Sequence, residues 1–148
     1  MRRTIALCLL TLTTTGQPGV ALERQAGQAQ ITEERAAIEV LIVRHAKAHS
    51  LPEALVRLVI RRESNFNPRV VYRGNYGLMQ IRLGTARAMG YTGSAAGLLD
   101  PQTNMTYALR YLAGAYRAAG GNASRAVALY SRGYYNQAKA QGFSPYAL

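Results

Sequence analysis

Ser50-Leu51-Pro52-Glu53 opens, and Pro68 closes, the stretch that most limits how this chain can fold. A serine ahead of a first-turn proline, with a glutamate three residues on, has the form of a capping box. The helix predicted from it carries Leu55, Val56, Leu58, Val59 and Ile60. These are apolar around more than one face, so the helix belongs in the middle of a core. Glu63 continues the stripe of Leu55 and Val59 at helical spacing. It therefore sits in the last turn, just before a loop rich in Asn, Gly and Tyr that Pro68 helps to start. Burial on one side and the negative end of a helix dipole both favour a carboxyl that holds a proton it can give away. Glu63 is therefore the candidate general acid/base.

At 148 residues the chain has room for one domain with a modest core. With 49% apolar and 17% charged residues it reads as globular and not as disordered. Its formal charge of +11 calls for an anionic partner: nucleic acid, a membrane surface or a cell-wall polymer. The N-terminus points to the wall. Met1-Arg2-Arg3-Thr4 forms a basic start, Ile5 to Leu12 an apolar run, and Gly19-Val20-Ala21 a small-residue exit, the order of a secretory signal peptide over residues 1–21. The apolar run is too short for a membrane-spanning helix, which needs about 20 residues, so no stable membrane insertion is expected. The expected location is periplasmic or secreted, after cleavage near Ala21, with residues 22–148 as the mature domain and a core over about 50–135. Cys8 is the only cysteine and would leave with the signal, so neither disulfides nor thiolate metal sites are expected. Export also makes nucleic acid a poor partner, and the basic residues are dispersed instead of lying along one stripe.

Leu22 to Gln30 is polar and rich in Ala and Gln, read as a loose lead-in, with a helix starting near Thr32-Glu33-Glu34. Ile38, Leu41, Ile42 and His45 follow at helical spacing. His45 and His49 are four apart, as a helical metal pair would be, but no zinc-protease glutamate follows His45 and no third ligand is evident. They read as packed or solvent-facing histidines, and neither a metal nor another cofactor is expected. Val70-Val71-Tyr72 is β-like, Gly74-Asn75 marks a turn, and Thr85 to Met89 forms a short helix. Asp100-Pro101 caps a helix with Met105, Leu109 and Leu112 on one side and Tyr107 and Tyr111 beside them. Gly120-Gly121 ends it, Asn122 caps the next, and a last helix spans Tyr135 to about Ala140. The fold class is all-α, with at most a very small β-hairpin.

Four pieces now stand in order: Glu63-Ser64 with Phe66-Asn67-Pro68, then Gly77-Leu78-Met79-Gln80-Ile81, then Asp100-Pro101 with Asn104, then Ala128-Leu129-Tyr130. Together they resemble the catalytic domain of soluble lytic transglycosylases, lysozyme-like enzymes related to goose-type lysozyme. The resemblance covers roughly Ser50 to Tyr135. It implies a lysozyme-like helical domain with any hairpin near the cleft. It also implies cleavage of the β-1,4 bond between N-acetylmuramic acid and N-acetylglucosamine in peptidoglycan glycan strands, leaving a 1,6-anhydro sugar. Glu63 is catalytic in that scheme, and Ser64, Gly77, Met79, Gln80 and Tyr130 match its substrate-binding positions. Gln80 would bond a sugar substituent, Ser64 would orient the turn behind Glu63, and the Tyr130 hydroxyl would approach the carboxyl or the acetamido group.

Three positions depart from the family pattern. Ser131 stands where an asparagine usually follows the tyrosine, making that hydrogen bond shorter or lost. Tyr72 replaces a small residue, and Arg82-Leu83 replaces an apolar residue and a proline. A lone acid in the right place suits a reaction in which the substrate supplies its own nucleophile, since ordinary glycosidases need two carboxylates. Other readings are a muramidase that uses water, and a module that binds peptidoglycan without cutting it. The ten tyrosines suit a sugar groove. So small a domain also points to an envelope-spanning assembly as a partner.

Overall fold

In the computed structural model, residues 18–146 are described; the signal-peptide reading falls mainly on residues 1–17, outside them, as does Cys8. Among the described residues there are six α-helices and three two-residue strands: α1 (Pro18–Ala48), α2 (Glu53–Ser64), β1 (Val71–Tyr72), β2 (Asn75–Tyr76), β3 (Ile81–Arg82), α3 (Leu83–Ala88), α4 (Pro101–Ala118), α5 (Ala123–Arg132) and α6 (Tyr135–Ala140). A 3-10 turn at Ala96–Leu99 leads into α4. The all-α class holds, with a three-stranded antiparallel sheet in order β1-β2-β3, one strand more than a hairpin. Val71 faces Tyr76, and Asn75 faces Arg82. The β1–β2 turn falls on Arg73 and Gly74, both at positive φ (48° and 76°), the two-residue form whose twist suits paired strands.

Two compact units divide the chain between Glu33 and Glu34. In the first, residues 22–30 are helical instead of a loose lead-in. Leu, Glu, Arg, Gln and Ala all favour the helix, and the single Gly27 costs only about 1 kcal/mol. Leu22 and Ile31 stay 68% and 61% exposed, so this part of α1 rests on local propensity and not on packing. Thr32 is not a cap; its hydroxyl bonds back to the Gln28 carbonyl at 2.9 Å. Among the described residues no helix is long and apolar enough to cross a membrane.

The second unit holds the core. Leu55, Val56, Val59 and Ile60 of α2 are buried against Ile38, Ile42, Leu109 and Leu112. Leu58, by contrast, is 48% exposed, so α2 keeps one wet face. The expected capping box is not formed. Ser50 turns left-handed at φ 52°, and α2 begins at Glu53 with no side-chain cap. Glu53 instead pairs with Arg57 at 2.9 Å, and Arg57 reaches on to Glu39 of α1 at 2.8 Å. Burial alone would raise the Glu39 carboxyl, but the hydrogen bonds and charges of Arg57 and Arg35 outweigh it and hold the carboxyl low. The other caps are as expected: Asp100 accepts from the Thr103 amide at 2.7 Å and Asn122 from the Arg125 amide at 2.9 Å.

His45 is buried, meets the Gln102 amide at 3.0 Å and stacks on His49 with ring centroids 6.5 Å apart. Burial lowers the proton affinity of both rings; Arg44 adds to this at His45, and His45 and Arg110 add to it at His49. The unfolded chain takes up protons near pH 6.5 that the folded one refuses. The stability these rings contribute is therefore complete above that pH and fades as acid is added. Melting temperature should drop between pH 7.5 and 5, and drop less in His49→Gln. Equal slopes for the two proteins would remove the histidines from the account.

Candidate active site

Glu63 ends α2 half-buried, and the backbone turns sharply beyond it. Asn65 and Phe66 are both left-handed, at φ 49° and 64°. The Asn65 amide closes on the Arg61 carbonyl at 3.1 Å, a left-handed C-cap. Phe66 is buried, and its ring lies 3.1 Å beneath the Arg35 guanidinium. That anchor sends the chain through Pro68 into the sheet and brings residues 77–80 back beneath Glu63.

Those four residues form a turn, Gly77 carbonyl to Gln80 amide at 3.2 Å, whose Leu78 and Met79 side chains are fully buried. Buried backbone groups need partners, and three helices provide them. Ser64 of α2 donates to the Leu78 carbonyl at 2.7 Å. Asn104 of α4, itself fully buried, accepts from the Met79 amide at 3.0 Å and donates to the Tyr76 and Leu98 carbonyls at 2.7 Å each. Tyr130 of α5 donates to the Met79 carbonyl at 2.7 Å. Burial, reinforced by the charge of Glu63, raises the Tyr130 hydroxyl well above its ordinary range, so it remains a donor. Gly77 has φ 70°, and any Cβ there would strike Asn104 and the Leu98 carbonyl. No other residue fits.

Gln80 is itself left-handed, at φ 50°. Its amide nitrogen bonds the Val70 and Gly77 carbonyls at 3.0 and 2.9 Å, which helps offset the backbone strain. Both amide protons are thus used within the protein. Among the described residues nothing bonds to its carbonyl oxygen, the atom left for a ligand.

A cleft of about 340 Å³ opens above this turn. Glu63 and Gln80 line it, with Asn75, Ile81 and Arg82 from the sheet and Thr85 from α3. Tyr111 and the run Tyr130 to Gly133 close the other side. Of the expected site residues, Glu63, Gln80 and Tyr130 meet in the cleft. Ser64, Gly77 and Met79 are not on the cleft lining; their side chains, or the space a side chain would need, shape the turn. Tyr130 points its hydroxyl at Met79, not at the carboxyl.

Ser131 is the partner Glu63 has. Its hydroxyl lies 3.1 Å from Glu63 Oε1 and 3.2 Å from the Val127 carbonyl, with one proton to offer the two acceptors. The hydrogen bond expected to be shortened or lost at this position is present. Glu63 is also the only carboxyl lining the cleft. Of the other acids from Glu34 onward, Glu34, Glu39 and Glu53 are paired with arginines and Asp100 caps α4. An arginine on Glu63 would lock it ionised; among the described residues it has none.

Sequence reasoning left Asn104 outside the site although it stood in the quoted motif. Its signal was a polar side chain at the fourth position of a helix whose neighbours Met105, Ala108 and Leu109 are all core. Arg132 and Thr85 gave no signal of their own. Among the described residues no three His, Cys, Asp or Glu side chains gather where a metal ion could be held.

Replacing Asn104 with Leu strands an amide and two carbonyls, at about 1–3 kcal/mol for each buried group left unpaired. Chemical denaturation of Asn104→Leu should show a loss of about 3 kcal/mol or more. A loss under about 1 kcal/mol would mean that the turn does not depend on this residue.

The model of the transglycosylase SLT domain matches residues 40–145. Over 101 residues the chain is 35% identical to the soluble lytic murein transglycosylase of Escherichia coli K12, covering 63% of this chain and 16% of that protein. The same figures hold for the protein of that name in Escherichia coli O157:H7. The chain thus spans about one sixth of the length of these curated relatives. No solved structure matches it. The family match takes in α2 with Glu63, the Gly77–Gln80 turn, and the Asn104 and Tyr130 side chains that hold it; the chain belongs to the transglycosylase SLT domain family.

Proposed function

We propose that the cleft binds peptidoglycan glycan strands and cleaves the bond between N-acetylmuramic acid and N-acetylglucosamine without consuming water. One observation carries this reading: a single carboxyl, free of arginine and bonded to a hydroxyl, on the lining of a polar cleft. Glu63 gives its proton to the glycosidic oxygen as the bond from the anomeric carbon to that oxygen breaks. The sugar's own acetamido group stabilises the positive charge that develops at the anomeric carbon. Glu63, now a carboxylate, takes the proton from the C6 hydroxyl, whose oxygen closes on the same carbon and leaves a 1,6-anhydro ring. Glu63 ends protonated, as it began.

A hydrolytic mechanism would ordinarily place a second carboxylate about 5–9.5 Å from the first. Family membership and the name of the Escherichia coli relatives favour the lytic route over a muramidase. The Ser131 contact and the outward position of Tyr72, 58% exposed on β1, favour an enzyme over a module that only binds. The net charge of +11 suits a wall that carries carboxylates and phosphates. The same proposal places the protein in the periplasm or outside the cell after removal of residues 1–21, with an envelope-spanning assembly as its partner.

Purified sacculi incubated with the full chain should release anhydro-muropeptides, read by mass, and Glu63→Gln should release at least 100-fold less. Reducing products, heavier by one water, would make the protein a hydrolase. No product from either protein would leave a binding module. Cross-linking in the native envelope followed by affinity purification should recover assembly components. Recovery of wall material alone would end that part of the proposal.

A further inference from the structure

Two of the cleft's side chains are guanidinium groups. Arg82 stands on β3, two residues beyond Gln80, and Arg132 ends α5, next to Ser131. They reach the cleft from its two sides, and both are exposed. Among the described residues neither has a carboxylate partner within the cleft or outside it. Among the described residues Glu63 is the only carboxyl on the lining, and its bonded neighbour is Ser131. The neutral polar groups of Asn75, Gln80, Thr85 and Ser131 suffice to bond sugar hydroxyls and amides. Two cations without carboxylate partners on one lining are more than a neutral glycan needs.

We propose that Arg82 and Arg132 select glycan whose substituent beside the cleaved bond carries a free carboxylate. This rests on the reading of the cleft as a glycan site and names the feature of the glycan that is read. Guanidinium suits the task because its planar fork can match both oxygens of a carboxylate and stays charged at any working pH. A peptide stem carries carboxylates of its own, and the lactyl group of muramic acid shows one only where the stem amide-linked to it has been removed, so the two sources can be told apart.

The test measures binding and not turnover, so that it stands if the cleavage reaction does not. Full-length chain carrying Glu63→Gln is titrated with three soluble glycans: strands bearing peptide stems, the same strands with their carboxylates converted to amides, and strands freed of stems so that only lactyl carboxylates remain. Arg82→Gln and Arg132→Gln should each weaken binding of stem-bearing strands about fivefold, the scale of an exposed ion pair. On the amidated strands the same substitutions should change nothing further. A loss confined to stem-bearing strands assigns the stem carboxylate, and a loss that persists on stem-free strands assigns the lactyl one. Arg82→Lys should recover less than half of the Gln penalty, because an ammonium lacks the fork. Equal losses on amidated and free-acid strands, or no loss on any, would overturn the proposal. Absence of anhydro products from wild-type protein would count against the cleavage reaction alone.

Discussion

The turn at residues 77–80 has to be buried, because Leu78 and Met79 are fully enclosed. Its peptide groups cannot then be left without partners, since each such group costs about 1–3 kcal/mol. Ser64, Asn104 and Tyr130 meet that requirement from α2, α4 and α5. The positions of three helices are thereby tied to four residues of backbone. Glu63 precedes Ser64, Ser131 follows Tyr130, and Gln80 closes the turn. The cleft is thus lined by the immediate neighbours of the residues that hold the turn, and its geometry follows from a demand of the interior.

The same division explains what was legible in the sequence. Helices α2, α4 and α5 were readable because their apolar spacing and their Asp100 and Asn122 caps act locally. The place of Glu63 in the last turn of α2 was readable because helical spacing carries it on from Leu55 and Val59. Ser50 misled, since a capping box is a local preference and the left-handed backbone at φ 52° took the serine out of reach. Residues 22–30 misled in the opposite sense. A polar stretch without a buried face still forms a helix when nearly every residue favours one. The targets of Tyr130 and Asn104 were not legible, because a hydrogen bond between residues 25 or 51 positions apart depends on where helices cross.

Charge is arranged with similar economy. Of the carboxyls from Glu34 onward, those on the helices outside the cleft are held by Arg35, Arg57 and Arg69, which link α1 to α2 and to the loop before the sheet. Among the described residues the arginines in the cleft have no carboxylate partner, and its acid has no arginine.

Ser131 carries one proton between two acceptors, Glu63 and the Val127 carbonyl, 3.1 and 3.2 Å away. Rotation about its C–O bond moves that proton from one acceptor to the other without displacing a heavy atom. When Glu63 is ionised the hydroxyl can point to it; when Glu63 is protonated the hydroxyl can turn to Val127 and receive the carboxyl's proton in a hydrogen bond. A torsional hop of this kind belongs to the picosecond-to-nanosecond range of side-chain motion, whereas enzymes commonly turn over about ten times a second. In the proposed cycle, where Glu63 is first acid and then base, the Ser131 hydroxyl follows each change of protonation without a heavy atom moving.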